Sequence, residues 1–141
     1  MRFGIEAFKN PRRTERAPKD TTVLIVDDEP QVRLTTSRIL RYGGGYVVFE
    51  AGNGPDALEL TNERTFDLAV MDVVMPDVSG DELVGRIRKR QPDLKVLYLT
   101  GSVDTLFDNR GKLWEAEAFL EKPFTKTGLL QAVSLALTGH L

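Results

Sequence analysis

Five short apolar runs recur along the chain: TVLIVD (22–27), YVVFE (46–50), DLAVMD (67–72), LKVLYLT (94–100) and AFLEK (118–122). Their near-continuous β-branched and aliphatic content is the pattern of strands covered on both faces. Between them lie amphipathic stretches at helical spacing. Val32, Ile39 and Leu40 suit a first helix, Ala57, Leu58 and Leu60 a second, and Leu83, Val84 and Ile87 a third. Leu129, Leu130, Val133, Leu135 and Leu137 suit the last. Pro30 and Pro55 sit where a first helical turn accepts proline, and Ser79 is placed to cap the third helix. Before the fifth strand, Asp108, Asn109 and Gly111 interrupt any long stripe, so a fourth helix there is short or irregular. Strands alternating with helices predict parallel pairing through right-handed crossovers, hence a three-layer, doubly wound α/β sandwich.

The chain has 141 residues, enough for one domain with a real core and little room for a second. With no cysteine it has no disulfide, no thiol nucleophile and no cysteine-held metal. No apolar run is long enough to cross a bilayer and the first residues do not read as a secretory signal, so a soluble, cytoplasmic domain is expected. His140 is the one histidine and reads as a tail residue, which removes Ser-His-Asp chemistry. Gly43-Gly44-Gly45 lacks the lysine and hydroxyl of a phosphate-binding loop and precedes a strand, so it reads as a turn. Charge divides the chain. Residues 1–20 carry six basic and three acidic groups, and the remainder 13 basic and 18 acidic ones. Residues 1–20 therefore read as a basic tail or linker, with Phe3, Ile5 and Phe8 able to form one short packing helix, and residues 21–141 as the domain.

In open parallel sheets, ligands bind beyond the carboxyl ends of the strands. Here those ends are marked: the first strand stops at Asp27-Asp28-Glu29, the third at Asp72, the fourth at Thr100, and the fifth leads to Lys122-Pro123. Crowded carboxylates repel one another, and a hard divalent cation with oxygen ligands is the simplest remedy; Mg²⁺ often binds through one or two carboxylates plus phosphate. Lysine adds a fixed positive charge and threonine a hydroxyl. The set suits phosphoryl transfer onto a carboxylate.

The segments VLIVDDEP, LAVMDVVMPDVSGDEL, VLYLTG and AFLEKPF resemble, in order, the signature segments of the two-component response-regulator receiver domain, over about Thr22 to Leu137. The resemblance implies a flavodoxin-like strand order 2-1-3-4-5. It implies that Asp72 accepts a phosphoryl group from a phosphohistidine, with Asp28 and Asp72 binding Mg²⁺ directly, Asp27 through water, and the Val74 main-chain carbonyl completing the protein ligands. Thr100 would hydrogen-bond the phosphoryl group and Lys122 pair with it, while Pro123 follows a peptide bond that is often cis in the family. Pro76 and Gly80 would shape the loop after Asp72, Gly80 through a backbone conformation closed to other residues. Phe119 holds the aromatic switch position that answers Thr100, coupling the site to the face made by the fourth helix, fifth strand and fifth helix.

Two departures from the family pattern stand out. Val74 places an apolar side chain where a polar one is frequent, which predicts a long-lived phosphoryl group. Leu113-Trp114-Glu115-Ala116 replaces a common glycine turn, making Trp114 a candidate partner anchor on the signalling face. Expected partners are a histidine kinase or histidine phosphotransfer protein, with Arg33, Leu34 and Ser37 as candidate docking contacts, and a downstream protein; neither nucleic acid nor membrane is expected. The chain is read as a phosphoacceptor and not an enzyme, either a stand-alone receiver or the receiver of a hybrid kinase. The alternatives are an Mg²⁺-dependent phosphatase with Asp72 as nucleophile, against which Val74 stands where such enzymes carry a second acid, and a phosphorylation-independent docking module.

Overall fold

The computed structural model describes residues 20–102 and 117–139. Strand β1 (Thr22–Val26) leads to helix α1 (Pro30–Arg38), which runs into a π-helical turn (Ile39–Gly43). Then follow β2 (Val47–Ala51), α2 (Gly54–Glu63), β3 (Leu68–Asp72), α3 (Gly80–Arg88) and β4 (Lys95–Thr100), and finally β5 (Ala118–Glu121) and α4 (Lys126–Thr138). The strands form one parallel sheet in the order β2-β1-β3-β4-β5, as expected. The expected irregular fourth helix, Trp114, residues 1–19 and His140 lie outside the described residues. Among the described residues, no helix is long and apolar enough to cross a membrane.

The central strands β1, β3 and β4 are largely apolar because consecutive residues feed two cores. Leu24, Val26, Ala69, Met71, Val96 and Tyr98 face one layer, with Ala57 of α2 and Leu83, Val84 and Ile87 of α3. Val23, Ile25, Leu68, Val70, Leu97 and Leu99 face the other, where Leu40 and α4's Leu129 and Val133 complete the packing. One buried polar side chain joins distant backbone ends. Gln91, 8% exposed, accepts from Phe66 N and donates to the Thr61 and Arg64 carbonyls, pairing backbone groups that end α2 and precede β3.

Pro30 and Pro55 do lie in first helical turns. Ser79 occupies the N-cap of α3 with extended backbone but its side chain makes no cap hydrogen bond. The side-chain caps are Asn53, accepting from Asp56 N at 2.8 Å, and Thr125, accepting from Gly128 N at 2.9 Å. Gly45, at φ +76°, completes the helix-to-strand turn, a conformation costly for residues bearing a Cβ. The strand boundaries place β1 short of Asp27 and β5 short of Lys122, so both residues stand just beyond the sheet.

Candidate functional site

The register of the sheet assembles the site. Asp72 is the last residue of β3 and pairs with Leu99 of β4, putting Thr100 one step further out. Thr100 in turn pairs with Glu121, and its carbonyl accepts from Lys122 N at 2.7 Å. On the other side of β3, β1 ends beside Met71, so the chain reaches Asp27 next to Asp72. Asp27, Asp28 and Asp72 can each bring one carboxylate oxygen within 4.8 Å of the others. Asp27 is fully buried and Asp72 is 4% exposed; Asp28 is the most open of the three.

Lys122 Nζ stands among these acids, 3.5 Å from Asp72 Oδ1, 3.6 Å from Asp27 Oδ2 and 3.5 Å from Glu29 Oε1. One ammonium does not neutralise this much negative charge. Burial, helped by the Asp27 charge and opposed by Lys122, pushes the Asp72 carboxyl up to about 7. Burial also raises Asp27. For Lys122, burial disfavours the charge, but the carboxylates of Asp27, Asp72 and Glu29 outweigh it and raise its pKa. Asp27 Oδ1 accepts from Glu29 N at 2.9 Å, whereas its buried Oδ2 has no hydrogen-bond partner. A buried carboxylate oxygen without a donor, beside two further carboxylates, fits a hard divalent cation.

The other expected residues surround this centre. Val74 N donates to Asp72 Oδ1 at 3.3 Å, and Val74 is 76% exposed. Thr100, 5% exposed, shares its hydroxyl with Ser102, accepting from N at 3.2 Å and donating to O at 3.3 Å. The Lys122–Pro123 peptide bond is cis. Phe119, half-buried, stacks on Tyr98 with ring centroids 5.6 Å apart. Pro76 is exposed at the loop surface. Gly80 has no positive φ, contrary to expectation; the constraint is space, since a Cβ there would collide with the Asp72 carbonyl oxygen.

Two further expectations need correction. Ser37 is 2% exposed and cannot serve as a docking contact, although Leu34, 40% exposed, can. Arg33 turns inward, donating from Nη1 to the Asp27 carbonyl at 2.8 Å with Nε 3.6 Å from Glu50. Sequence reading also missed the role of Glu29 as a Lys122 partner, and Asp77, whose Oδ2 accepts from Gly54 N at 3.0 Å and ties the loop after Asp72 to α2. Acidic positions next to an acidic motif were the available signal for both.

Residues 23–134 match the response regulator receiver domain. The chain is similar to a putative transcriptional regulator of Pseudomonas aeruginosa, 34% identical over 84% of this chain and 58% of that one. It is also similar to the sensor kinase CckA of Brucella abortus, 38% identical over 79% of this chain and 12% of that one. It therefore spans little more than half of the first relative and a small part of the second. Among solved structures it resembles the response regulator TrrA of Thermotoga maritima in complex with Mg²⁺-BeF, with TM-score 0.71, 32% identity, and 83% of this chain and 99% of that one covered. The strand order, the acids grouped at the strand ends and these matches together establish that the chain belongs to the response regulator receiver domain family of two-component systems.

Proposed function

We propose that this receiver takes a phosphoryl group from a phosphohistidine onto Asp72 in an Mg²⁺-dependent reaction, and that the modified site changes its contacts with other proteins. The observation that carries the reading is the grouping of the Asp27, Asp28 and Asp72 carboxylates within 4.8 Å of one another, with Lys122 against two of them. A carboxylate oxygen of Asp72 attacks phosphorus, the phosphorus–nitrogen bond to the donor imidazole breaks, and the imidazole leaves with the electron pair. Receiver domains bind Mg²⁺ at an acidic pocket, and here Asp28, Asp72 and the Val74 carbonyl are the proposed direct ligands, with Asp27 held through water. The ion supplies neutralisation of the phosphoryl oxygens. Lys122 pairs with one of those oxygens, and the Thr100 hydroxyl, exchanging its Ser102 contacts, donates to another. The solved relative bound to Mg²⁺-BeF supports this assignment by likeness.

Receiver domains interact with histidine kinases, and a histidine kinase or a histidine phosphotransfer protein is the proposed donor. The proposed output face combines the segment between β4 and β5, β5 itself and α4. Phe119 links it to Thr100: Tyr98 and Thr100 share β4, and the Phe119 ring rests on Tyr98. Ring NMR signals of Phe119 are expected to shift when beryllofluoride and Mg²⁺ are added; unmoved signals would remove Phe119 from the switch. Most receiver domains are phosphoacceptors without a catalytic role, and the same is proposed here.

The test is incubation with acetyl phosphate. One phosphoryl mass is expected in intact-protein mass spectrometry, mapped to Asp72 by borohydride trapping and abolished by EDTA. Incorporation elsewhere, or unaffected by EDTA, would refute the reading. The exposed Val74 side chain offers no hydrogen bond to an attacking water, so the acyl phosphate is expected to be long-lived. Val74→Asn is expected to shorten its half-life several-fold. Rapid loss in the parent chain, unchanged by the substitution, would show that Val74 does not set the lifetime.

A further inference from the structure

We propose that Arg33 is a positioning residue for the metal-binding turn, held in place by Glu50 and given room by Gly52. The inference rests on the reading that Asp27, Asp28 and Asp72 hold Mg²⁺. Asp27 is fixed at three points: its amide donates to the Ala51 carbonyl at 3.2 Å, its carboxylate accepts from Glu29 N at 2.9 Å, and its carbonyl accepts from Arg33 Nη1 at 2.8 Å. The last of these belongs to the peptide joining Asp27 to Asp28. Its direction therefore sets where the second carboxylate begins, and a cationic donor holds it more firmly than a neutral one.

Glu50 and Gly52 frame that contact. Its side chain is 24% exposed, so most of it is committed to the protein. Glu50 reaches its Nε at 3.6 Å and Arg41 Nη2 at 3.9 Å, which places a carboxylate between two guanidinium groups at the end of β2. A Cβ on Gly52 would stand 3.0 Å from Arg33 Nη1, and no side chain could be added there without moving the guanidinium. Although Arg33 and Asp27 are only six residues apart, the contact depends on a distant segment: Glu50 of β2 supplies the aim and Gly52, just after β2, the space.

Two effects of Arg33 on Mg²⁺ oppose each other. A positive charge near a cation site weakens binding, whereas a fixed turn removes the ordering cost of bringing Asp28 into place. Glu50, shared with Arg41, offsets only part of that charge; the proposal is that alignment outweighs the remainder, and the sign of the effect on Mg²⁺ affinity is therefore diagnostic. A third role, as an outward docking contact for a phosphodonor protein, is disfavoured by the inward geometry and has its own signature.

The experiment titrates the full chain with MgCl₂ and follows the amide NMR signals of Glu29 and Val74. Arg33→Met is expected to weaken Mg²⁺ binding about three- to tenfold, and Arg33→Lys, which keeps the charge but cannot reach both partners, by less. Gly52→Ala, which leaves Arg33 in the chain but displaces it, is expected to weaken binding about two- to threefold and covers the case in which Arg33→Met does not fold. Uptake from acetyl phosphate should fall in parallel at limiting Mg²⁺ and recover in excess Mg²⁺. A lowered melting temperature with unchanged Mg²⁺ affinity would make Arg33 merely structural, and tighter Mg²⁺ binding would show that its charge alone matters. Loss confined to transfer from a protein donor would make it a docking residue. Each of these three results overturns the proposal. Absence of Mg²⁺ binding by the parent chain would instead overturn the metal-site reading, and the role of Arg33 with it.

Discussion

Asp72→Asn is expected to abolish phosphoryl uptake and, in the metal-free protein, to raise folding stability by on the order of 2–4 kcal/mol near pH 7. Uptake is lost because an amide cannot replace the attacking carboxylate; the stability gain has an electrostatic origin. The Asp72 carboxyl is buried beside Asp27 and pushed up to about 7, so the folded state resists ionisation that the unfolded chain undergoes near the ordinary value of 3.8. Between those values the native state binds a proton that the unfolded state releases. Stability from this group is therefore fully present below about pH 4 and is lost as pH rises through 7. Asparagine has no proton to lose and leaves the amide polar, so its contribution is flat across the window. Urea unfolding in EDTA at pH 5 and pH 8 measures this: the advantage of the variant over the parent should widen at the higher pH. Mg²⁺ should shrink the advantage, because it binds the folded parent and stabilises it by mass action. An advantage independent of pH would show that the crowding of carboxylates, on which the metal assignment depends, is not present in solution. Asp27 is raised by burial as well, so part of the pH dependence should survive in the variant.

The strands and the grouping of polar residues at their ends were legible in the sequence for a shared reason. A parallel strand covered on both faces must be apolar along its whole length, so the first polar residue after it marks the carboxyl edge, where ligands bind. Asp27, Asp72 and Thr100 were readable on that basis, with Lys122 one position past the polar end of β5, and the structure brings Lys122 to Asp27 and Asp72 across four neighbouring strands. Contacts decided by a partner distant in sequence were not readable. Arg33 lies off the apolar stripe of α1 and looks like a surface residue until Glu50 of β2, with the room left by Gly52 just beyond that strand, draws it inward. Ser37 was misread because a small polar residue can fill the close approach of a helix to the sheet as readily as it can sit in solvent. Ser79 has the right residue type and backbone for a cap, but capping also needs the side-chain torsion that aims its oxygen at a free amide, and that is set by packing. Gly80 was identified as special for the wrong reason, since a steric limit imposed by a carbonyl eight positions earlier leaves no trace in local conformation.

That steric limit gives Gly80→Ala the second large effect, a loss of about 2–3 kcal/mol in stability accompanied by weaker Mg²⁺ binding. The added Cβ would run into the Asp72 carbonyl oxygen and lie 3.0 Å from Met71 Cγ. A side-chain neighbour such as Met71 can rotate away, but the Asp72 oxygen belongs to the backbone of a central strand and is held by the sheet. The relief must come from the other partner, the start of α3, whose Gly80 amide donates to the Val73 carbonyl at 2.9 Å. Moving it pulls on the loop that carries Val74, the proposed carbonyl ligand, and on Asp77, which docks that loop against α2 at Gly54 N. Stability and metal affinity should therefore fall together. Gly85→Ala in the same helix is the control: nothing lies within 4 Å of its added Cβ, so helix propensity acts alone and predicts a gain of up to about 1 kcal/mol. Urea midpoints for both variants, with MgCl₂ titrations of the folded proteins, separate the two influences. If Gly80→Ala resembled Gly85→Ala in both measurements, the close approach of α3 to Asp72 would not be a constraint on the site. If only stability fell, the loop would be able to hold the metal without the helix that follows it.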